Sequence, residues 1–321
     1  MTYLYLILTT FFWAATFHLG KFAIQFMSPL STAAWRFIIA GAILAVMAAR
    51  QKSWDGLAVR QNLLPLIGMG VIGVFGFNAA LFFGLKLTSP VNGALIMALN
   101  PSITALLSAA INRDSISARQ WLGFALGLAG VATVVSQGSL HTLLSLSFSM
   151  GDVLILLGCI CWALYAVIPK RFVKNLPTMS MTTSTIIIGA ITLAGMSLLA
   201  SDDLLSVPTT PTALAIGAMA VFGSVLAYIW WNQGIAKIGA TRAAVFINLV
   251  PMFTALIGVA LGQSISSGQI VGAALVISGV LIGSSQANKG STHAVAKTTG
   301  AAPVVPIQSA IKPALNSRCK A

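Results

Sequence analysis

The 321-residue chain is 57% hydrophobic and 7% charged, with a mean hydropathy of +0.93. A soluble domain carries about 25% charged residues, so the composition excludes one, and it equally excludes a disordered chain. The net charge is +13, yet the acidic complement is only Asp55, Asp114, Asp152, Asp202 and Asp203, with no glutamate. That leaves nothing from which to build a paired-carboxylate hydrolase, a carboxylate metal cage or a deep acidic proton relay.

A bilayer core of about 30 Å takes about 20 apolar helical residues per crossing. In chain order, ten such spans are expected at roughly 3–20, 31–49, 63–85, 91–110, 120–137, 152–169, 180–200, 212–235, 243–261 and 269–285. Turn residues punctuate them: Ser28-Pro29, Ser53 to Gly56, Ser89-Pro90, Gly138-Ser139, Leu176-Pro177, Pro208 and Pro211. The first run lacks the basic segment that precedes the apolar stretch of a signal peptide, so a retained helix is expected. Residues 287–321 turn polar without helical periodicity and are expected to be a disordered basic cytoplasmic tail.

With both termini cytoplasmic, fifteen of the 18 Lys and Arg residues fall in inner segments, Lys21 and Lys86 fall in outer loops, and Arg36 lies within a span. This positive-inside distribution predicts a multi-pass protein of the inner (plasma) membrane in contact with anionic lipid. It accounts for the basic charge without a nucleic-acid partner.

The two halves repeat at an offset of 149 or 150 residues: Trp13-Ala14 returns as Trp162-Ala163, Lys21 as Lys170, Gly84 as Gly234 and Pro101 as Pro251. Gln120-x-x-Gly123-x-Ala125-Leu126 returns as Gln269-x-x-Gly272-x-Ala274-Leu275. Units 1–145 and 146–286 would hold five spans each, an odd number, so the second enters the membrane the opposite way round. The expected fold is therefore an all-α polytopic membrane protein of ten helices. Two inverted five-helix repeats (5+5) would surround a central cavity, the plan of secondary transporters.

Trp35-Arg36-Phe37, the run from Gly84 to Ile96, Pro101 and Gln120-Trp121-Leu122-Gly123 together resemble the EamA family of the drug/metabolite transporter superfamily, over about residues 1–286. The resemblance implies ten helices, a central cavity and movement of small metabolites, often export of amino acids or their relatives. Where the family carries a glutamate before the fifth and tenth spans, this chain has Asp114 and Gln263, and the second repeat has Thr185 where the first has Arg36.

Pro101 and Pro251 fall mid-span. A proline lacks the N–H and crowds the carbonyl four residues back, so the Met97 and Ile247 carbonyls lose their helical partners. A hinge, an acceptor offered to solute, or a static kink are the readings, and broken helices tend to mark transporter sites. Asn78 and Tyr228, 150 positions apart, are expected to face one cavity from opposite sides, with Trp231 and Asn232 beside Tyr228. Trp13, Trp162 and Tyr165 lie near mid-depth and fit either the cavity wall or tight packing. Asn100 and Asn248, deep and in need of partners, complete the polar set expected to line the substrate-binding cavity. Aromatic side chains with polar tips suit a substrate having an apolar body and a charged end. Arg36 could hold a substrate carboxylate with its planar fork or snorkel outward and pin its helix. His18, the histidine within a span, is a candidate for gating or proton coupling, or a hydrogen-bonded helix-end residue.

Three patterns carry no chemistry. Gly68-x-Gly70-x-x-Gly73 sits within an apolar helix and lacks the βαβ context of a dinucleotide fingerprint. The Gly123/Gly127 and Gly279/Gly283 pairs read as helix-packing faces, either between repeats or in a homodimer. Cys159 and Cys161 point to different faces of one helix and form no metal site, and no cofactor is expected. The sequence thus predicts a non-enzymatic secondary transporter of a small-molecule metabolite, an amino acid or derivative foremost, moving it outward by alternating access. Sugars, nucleosides or cationic drugs are the alternative cargo, and a membrane enzyme or receptor the competing class.

Overall fold

The computed structural model describes residues 1–113, 116–135, 149–200, 203–264 and 266–284, and the regular elements among them are all helices. The tail at 287–321 and Asp114 lie outside them. The first half holds α1 (Thr2–Ala23), α2 (Pro29–Arg50), α3 (Gly56–Gln61), α4 (Leu63–Gly68), α5 (Phe77–Leu87), α6 (Pro90–Met97), α7 (Asn100–Asn112) and α8 (Ala118–Val135). The second holds α9 (Met150–Phe172), α10 (Thr178–Ala200), α11 (Thr210–Ala218), α12 (Ala227–Ile238), α13 (Ala240–Ala244), α14 (Leu249–Ala260) and α15 (Ser267–Ser284). Helix starts follow local chemistry. The Ser28 side chain accepts from the Ser31 N–H ahead of Pro29, Asp55 accepts from Ala58 N–H at 2.9 Å, and Ser149 accepts from Gly151 N–H at 3.0 Å. Gly239, at φ +85°, ends α12 in a conformation that glycine adopts without a Cβ penalty.

Seven helical stretches among the described residues are long and apolar enough to cross a membrane: Thr2–Ala23, Pro29–Arg50, Leu63–Leu87, Met150–Phe172, Thr178–Ala200, Thr210–Ile238 and Ala240–Ala260. The chain is a multi-pass membrane protein. At the other three expected spans the described helices are α6 with α7, α8 and α15, none of them among these seven. The expected span 91–110 is not one helix but two, parted at Ala98–Leu99, two residues before Pro101. Ahead of Pro251 the chain tightens instead into a 3-10 turn over Val245–Asn248. In both places the missing N–H and the crowded carbonyl relax the preceding turn.

A feature absent from the sequence reading is a pair of wide π-helical turns, Met69–Gly76 between α4 and α5, and Met219–Leu226 between α11 and α12. They lie 150 residues apart. Gly70 and Gly73 let α10 and α9 press against the first. A Cβ at Gly70 would stand 2.6 Å from Ile188 Cγ2, and one at Gly73 2.5 Å from Tyr165 Cβ.

Residues Met1–Ser285 form one unit in which the halves interleave. α1 packs on α12 and α14, and α9 packs on α5 and α7, so each pairing maps onto the other under the 150-residue shift. α2 packs on α10, and α8 on α15. Between α8 and α15 the backbones touch: a Cβ at Gly279 would lie 2.6 Å from the Gly123 carbonyl, and one at Gly130 2.7 Å from the Gly272 carbonyl. These glycine faces pack on one another within the chain.

The two ends of the bundle differ. At one, the loops after α5 and α14 frame an open cavity of about 680 Å³ (the vestibule end). At the other, Asn62 Nδ2 donates to the Lys174 carbonyl at 2.9 Å, and Ser180 joins the loop before α3 by donating to the Ser53 carbonyl at 2.8 Å. This second, basic end carries Lys52, Arg60, Lys170, Arg171, Lys174, Lys237 and Arg242.

Candidate functional site

Midway between the ends, α1, α2, α5, α9, α12 and α14 enclose a cavity of about 30 Å³, walled by Trp13, Phe77, Trp162, Tyr228 and Arg36 and closed by Met97, Ile247 and Val250. A volume of this order admits a water or two, so the chamber is shut around its centre in this conformation. The aromatic residues singled out in the sequence do converge. Trp13 stands edge-on to Trp162 at 5.1 Å between ring centroids and to Trp231 at 5.0 Å, and Tyr228 stands edge-on to Trp162 at 5.4 Å. Such edge-to-face pairs add about 0.5–1.5 kcal/mol each beyond their burial. The indole N–H groups of Trp162 and Trp231 and the Tyr228 hydroxyl are buried without a hydrogen bond of normal geometry.

Arg36 departs from one of its two expected roles. It does not snorkel: it is 2% exposed, and its fork reaches across the chain. Nε donates to Ser224 Oγ at 2.7 Å, Nη2 to the Gly223 carbonyl at 3.0 Å and Nη1 to Asn78 Oδ1 at 3.2 Å. The reason is location, because a position one third of the way along α2 faces the second π turn, whose carbonyl and hydroxyl are nearer than either surface. All three acceptors are neutral, so they hold the guanidinium in place without cancelling its charge. A guanidinium has five N–H donors, and two remain after these bonds. Trp13 Nε1 also donates to the Gly223 carbonyl, at 3.1 Å.

The remaining candidates divide. Asn78 is buried and spans from the Val74 carbonyl, to which Nδ2 donates at 2.8 Å, to Arg36; it positions the arginine and does not line the chamber. Tyr165 stacks on Trp162 at 5.2 Å from behind, and Asn232 Nδ2 donates to the Tyr165 hydroxyl at 2.8 Å and to Thr182 Oγ1 at 2.9 Å. Trp231, Tyr165 and Asn232 thus back the wall. Asn100 lies away from the chamber, donating to the Cys159 carbonyl at 3.0 Å and accepting from Thr104 Oγ1, because the break before Pro101 turns it toward α9. Asn248 lines a separate cavity toward the basic end, together with Pro101. Pro251 is buried and touches none of the three cavities' walls.

His18 lies on the vestibule, where Nε2 donates to the Thr254 carbonyl at 2.9 Å. Lys21, Lys86 and Asp152 share that cavity, and Lys21 Nζ donates to the Leu85 and Thr88 carbonyls at the end of α5. Asp203, absent from the sequence candidates, accepts from the Ser28 and Ser31 hydroxyls at 2.8 and 2.6 Å and anchors the start of α2. Gly223 and Ser224 were also unforeseen. The available signal was the recurrence of Gly73 as Gly223 at the 150-residue offset.

The sequence profile described as the EamA-like transporter family matches twice, over residues 1–136 and 149–285. The chain is 45% identical over 284 residues to the uncharacterized transporter YyaM of Bacillus subtilis (strain 168), spanning 88% of this chain and 93% of that protein. It is 27% identical over 286 residues to an uncharacterized transporter of Archaeoglobus fulgidus, spanning 88% and 96% of the two chains. It is also 26% identical over 264 residues to the uncharacterized inner membrane transporter YedA of Escherichia coli (strain K12), spanning 78% and 79%. A solved structure described as a crystal structure of a protein shares the fold at a TM-score of 0.67 and 22% identity, covering 87% of this chain and 95% of that one. These relatives are transporters, not enzymes, and with both halves matched the chain belongs to the EamA-like transporter family.

Proposed function

We propose that the chain exports small amphipathic metabolites bearing a carboxylate, amino acids or amino-acid derivatives foremost, by alternating access through the aromatic chamber. The observation that carries this reading is Arg36: a buried guanidinium on the chamber wall, held by three neutral acceptors, with two N–H donors left for an anionic group. An apolar body would lie against Trp13, Phe77, Trp162 and Tyr228. The same positive charge disfavours the alternative of cationic drugs as cargo.

The architecture behind the reading is ten spans in two five-helix repeats threaded in opposite senses. The reciprocal packing of α1 and α9, the paired π turns 150 residues apart and the double family match support it. With the basic end cytoplasmic, as the positive-inside rule favours, the vestibule faces outward. The breaks ahead of Pro101 and Pro251 are where the two repeats would rock.

The test compares metabolites in spent medium from cells with the wild-type chain, with Arg36→Gln and without the protein. The expected result is a carboxylate-bearing metabolite that accumulates only with the wild type. Accumulation of a hexose, nucleoside or quaternary ammonium in its place overturns the substrate assignment.

A further inference from the structure

The two helix discontinuities partition the interior. Met97 and Ile247, 150 positions apart, line the central chamber, whereas their immediate successors Ala98 and Asn248 line a second cavity toward the basic end. That second cavity, about 40 Å³ and so as closed in this conformation as the chamber beside it, lies among α7, α8, α15 and the segment from α13 through the 3-10 turn, with Ser102, Gln120 and Thr241 on its wall. Asn248 is 4% exposed, and neither Oδ1 nor Nδ2 of its carboxamide has a hydrogen-bond partner.

Buried carboxamides are paired as a rule, because an unmade bond costs the full desolvation of the group. A fully unpaired one facing a cavity whose mainly apolar wall also presents Ser102, Gln120 and Thr241 marks a place where an exchangeable group binds. The repeat does not account for it, since the equivalent residue is Ala98 and carries no polar group at all.

We propose that this cavity is a second solute subsite, separated from the central chamber by the Met97–Ile247 partition, in which Asn248 receives the polar head of the solute. One carboxamide presents a donor and an acceptor side by side. The matching chemistry is an acceptor and a donor on one carbon, as in the carboxylate and ammonium of an α-amino acid: Nδ2 donates to the carboxylate, and the ammonium donates to Oδ1. The subsite itself stands on the orphaned amide; the ligand class rests on the amino-acid reading above.

The experiment uses the full-length chain, purified for melting and reconstituted in vesicles of known orientation, with L-leucine as the probe. Asn248→Leu keeps the branching of the side chain, with two methyl groups that can fill the adjoining cavity, and removes both polar atoms. It is expected to melt at or above the wild-type midpoint, since no internal bond is lost. It is also expected to raise the half-saturating L-leucine concentration by about fivefold or more on the basic-end face, with the vestibule face unchanged. Half-saturation equal to wild type on both faces overturns the subsite. A midpoint lowered by more than about 2 °C overturns it too, by showing that the protein itself satisfies the amide. If the wild type moves no L-leucine, the amino-acid reading fails, and the subsite is judged on the melting comparison alone. Asn248→Ser, which shortens the side chain, carries the half-saturation readout alone should the leucine variant not fold.

Discussion

Arg36 and Gly223, 187 positions apart, are joined by a 3.0 Å hydrogen bond from the guanidinium to a backbone carbonyl that also accepts from Trp13 at 3.1 Å. One oxygen atom thus ties α1 and α2 to the π turn between α11 and α12. A π turn departs from the regular i to i−4 ladder and commonly sits at functional positions. Here it presents the carbonyl and the neighbouring Ser224 hydroxyl to the arginine.

Replacing the arginine tests that arrangement directly. Arg36→Lys keeps the charge but loses the planar fork, so it can no longer meet Ser224, Gly223 and Asn78 together. Counterflow in reconstituted vesicles is expected to fall about tenfold or more for both Arg36→Lys and Arg36→Gln. Wild-type flux in Arg36→Lys would show that charge alone suffices.

Glycine substitutions separate close contact from open space. A Cβ at Gly223 would stand 2.6 Å from Thr16 Oγ1 and 3.3 Å from Arg36 Nη2, and one at Gly73 2.5 Å from Tyr165 Cβ. Gly223→Ala and Gly73→Ala are each expected to cost about 1–3 kcal/mol, read as a lowered melting midpoint. A Cβ at Gly68 or Gly217 meets nothing within 4 Å, so alanine there is expected to be neutral or stabilising by up to about 1 kcal/mol.

Tyr228 and Asn78 differ in what they do. The Tyr228 hydroxyl makes no hydrogen bond of normal geometry, although it sits beside Asn78 and Arg36, so Tyr228→Phe is expected to change the melting midpoint little while weakening solute binding, read as a raised half-saturation. Asn78→Ala removes a positioning bond to Arg36 and is expected to lower flux, with folded yield retained. Normal transport by both variants would remove these residues from the site.

Energy coupling gives a fourth expectation. Among the described residues, the wall of the central chamber holds one formally charged side chain, Arg36, and no carboxylate. Transport is expected to follow the gradient of the solute itself or its exchange, with weak pH dependence. Tracer flux into vesicles is expected to persist when an uncoupler dissipates the proton gradient; collapse with recovery on restoring the gradient would contradict this.

Much of the scaffold was legible in the sequence because lipid imposes long apolar runs and the 150-residue recurrence survives in residues such as Trp13 and Trp162. The convergence of the aromatic side chains followed from those positions. The details that decide the chemistry did not. A π turn leaves no mark in hydropathy, since it widens a helix without altering its composition. Arg36 offered two destinations of comparable plausibility, and the choice turned on Ser224 and Gly223, which no local pattern connects to it. Asn100 looked like cavity lining from its depth alone; the break at Ala98–Leu99 rotates it toward Cys159 instead.

The contact of α8 with α15 has a mechanical consequence. With Gly279 against the Gly123 carbonyl and Gly130 against that of Gly272, the two backbones meet directly at these points, leaving little side chain between them to shear or repack. If the proposed alternating access holds, this α8–α15 contact is the axis on which the two repeats would rock, with the other spans swinging about it. A bulky residue wedged at Gly279 would therefore splay the axis itself and stall the cycle at a distance from the solute.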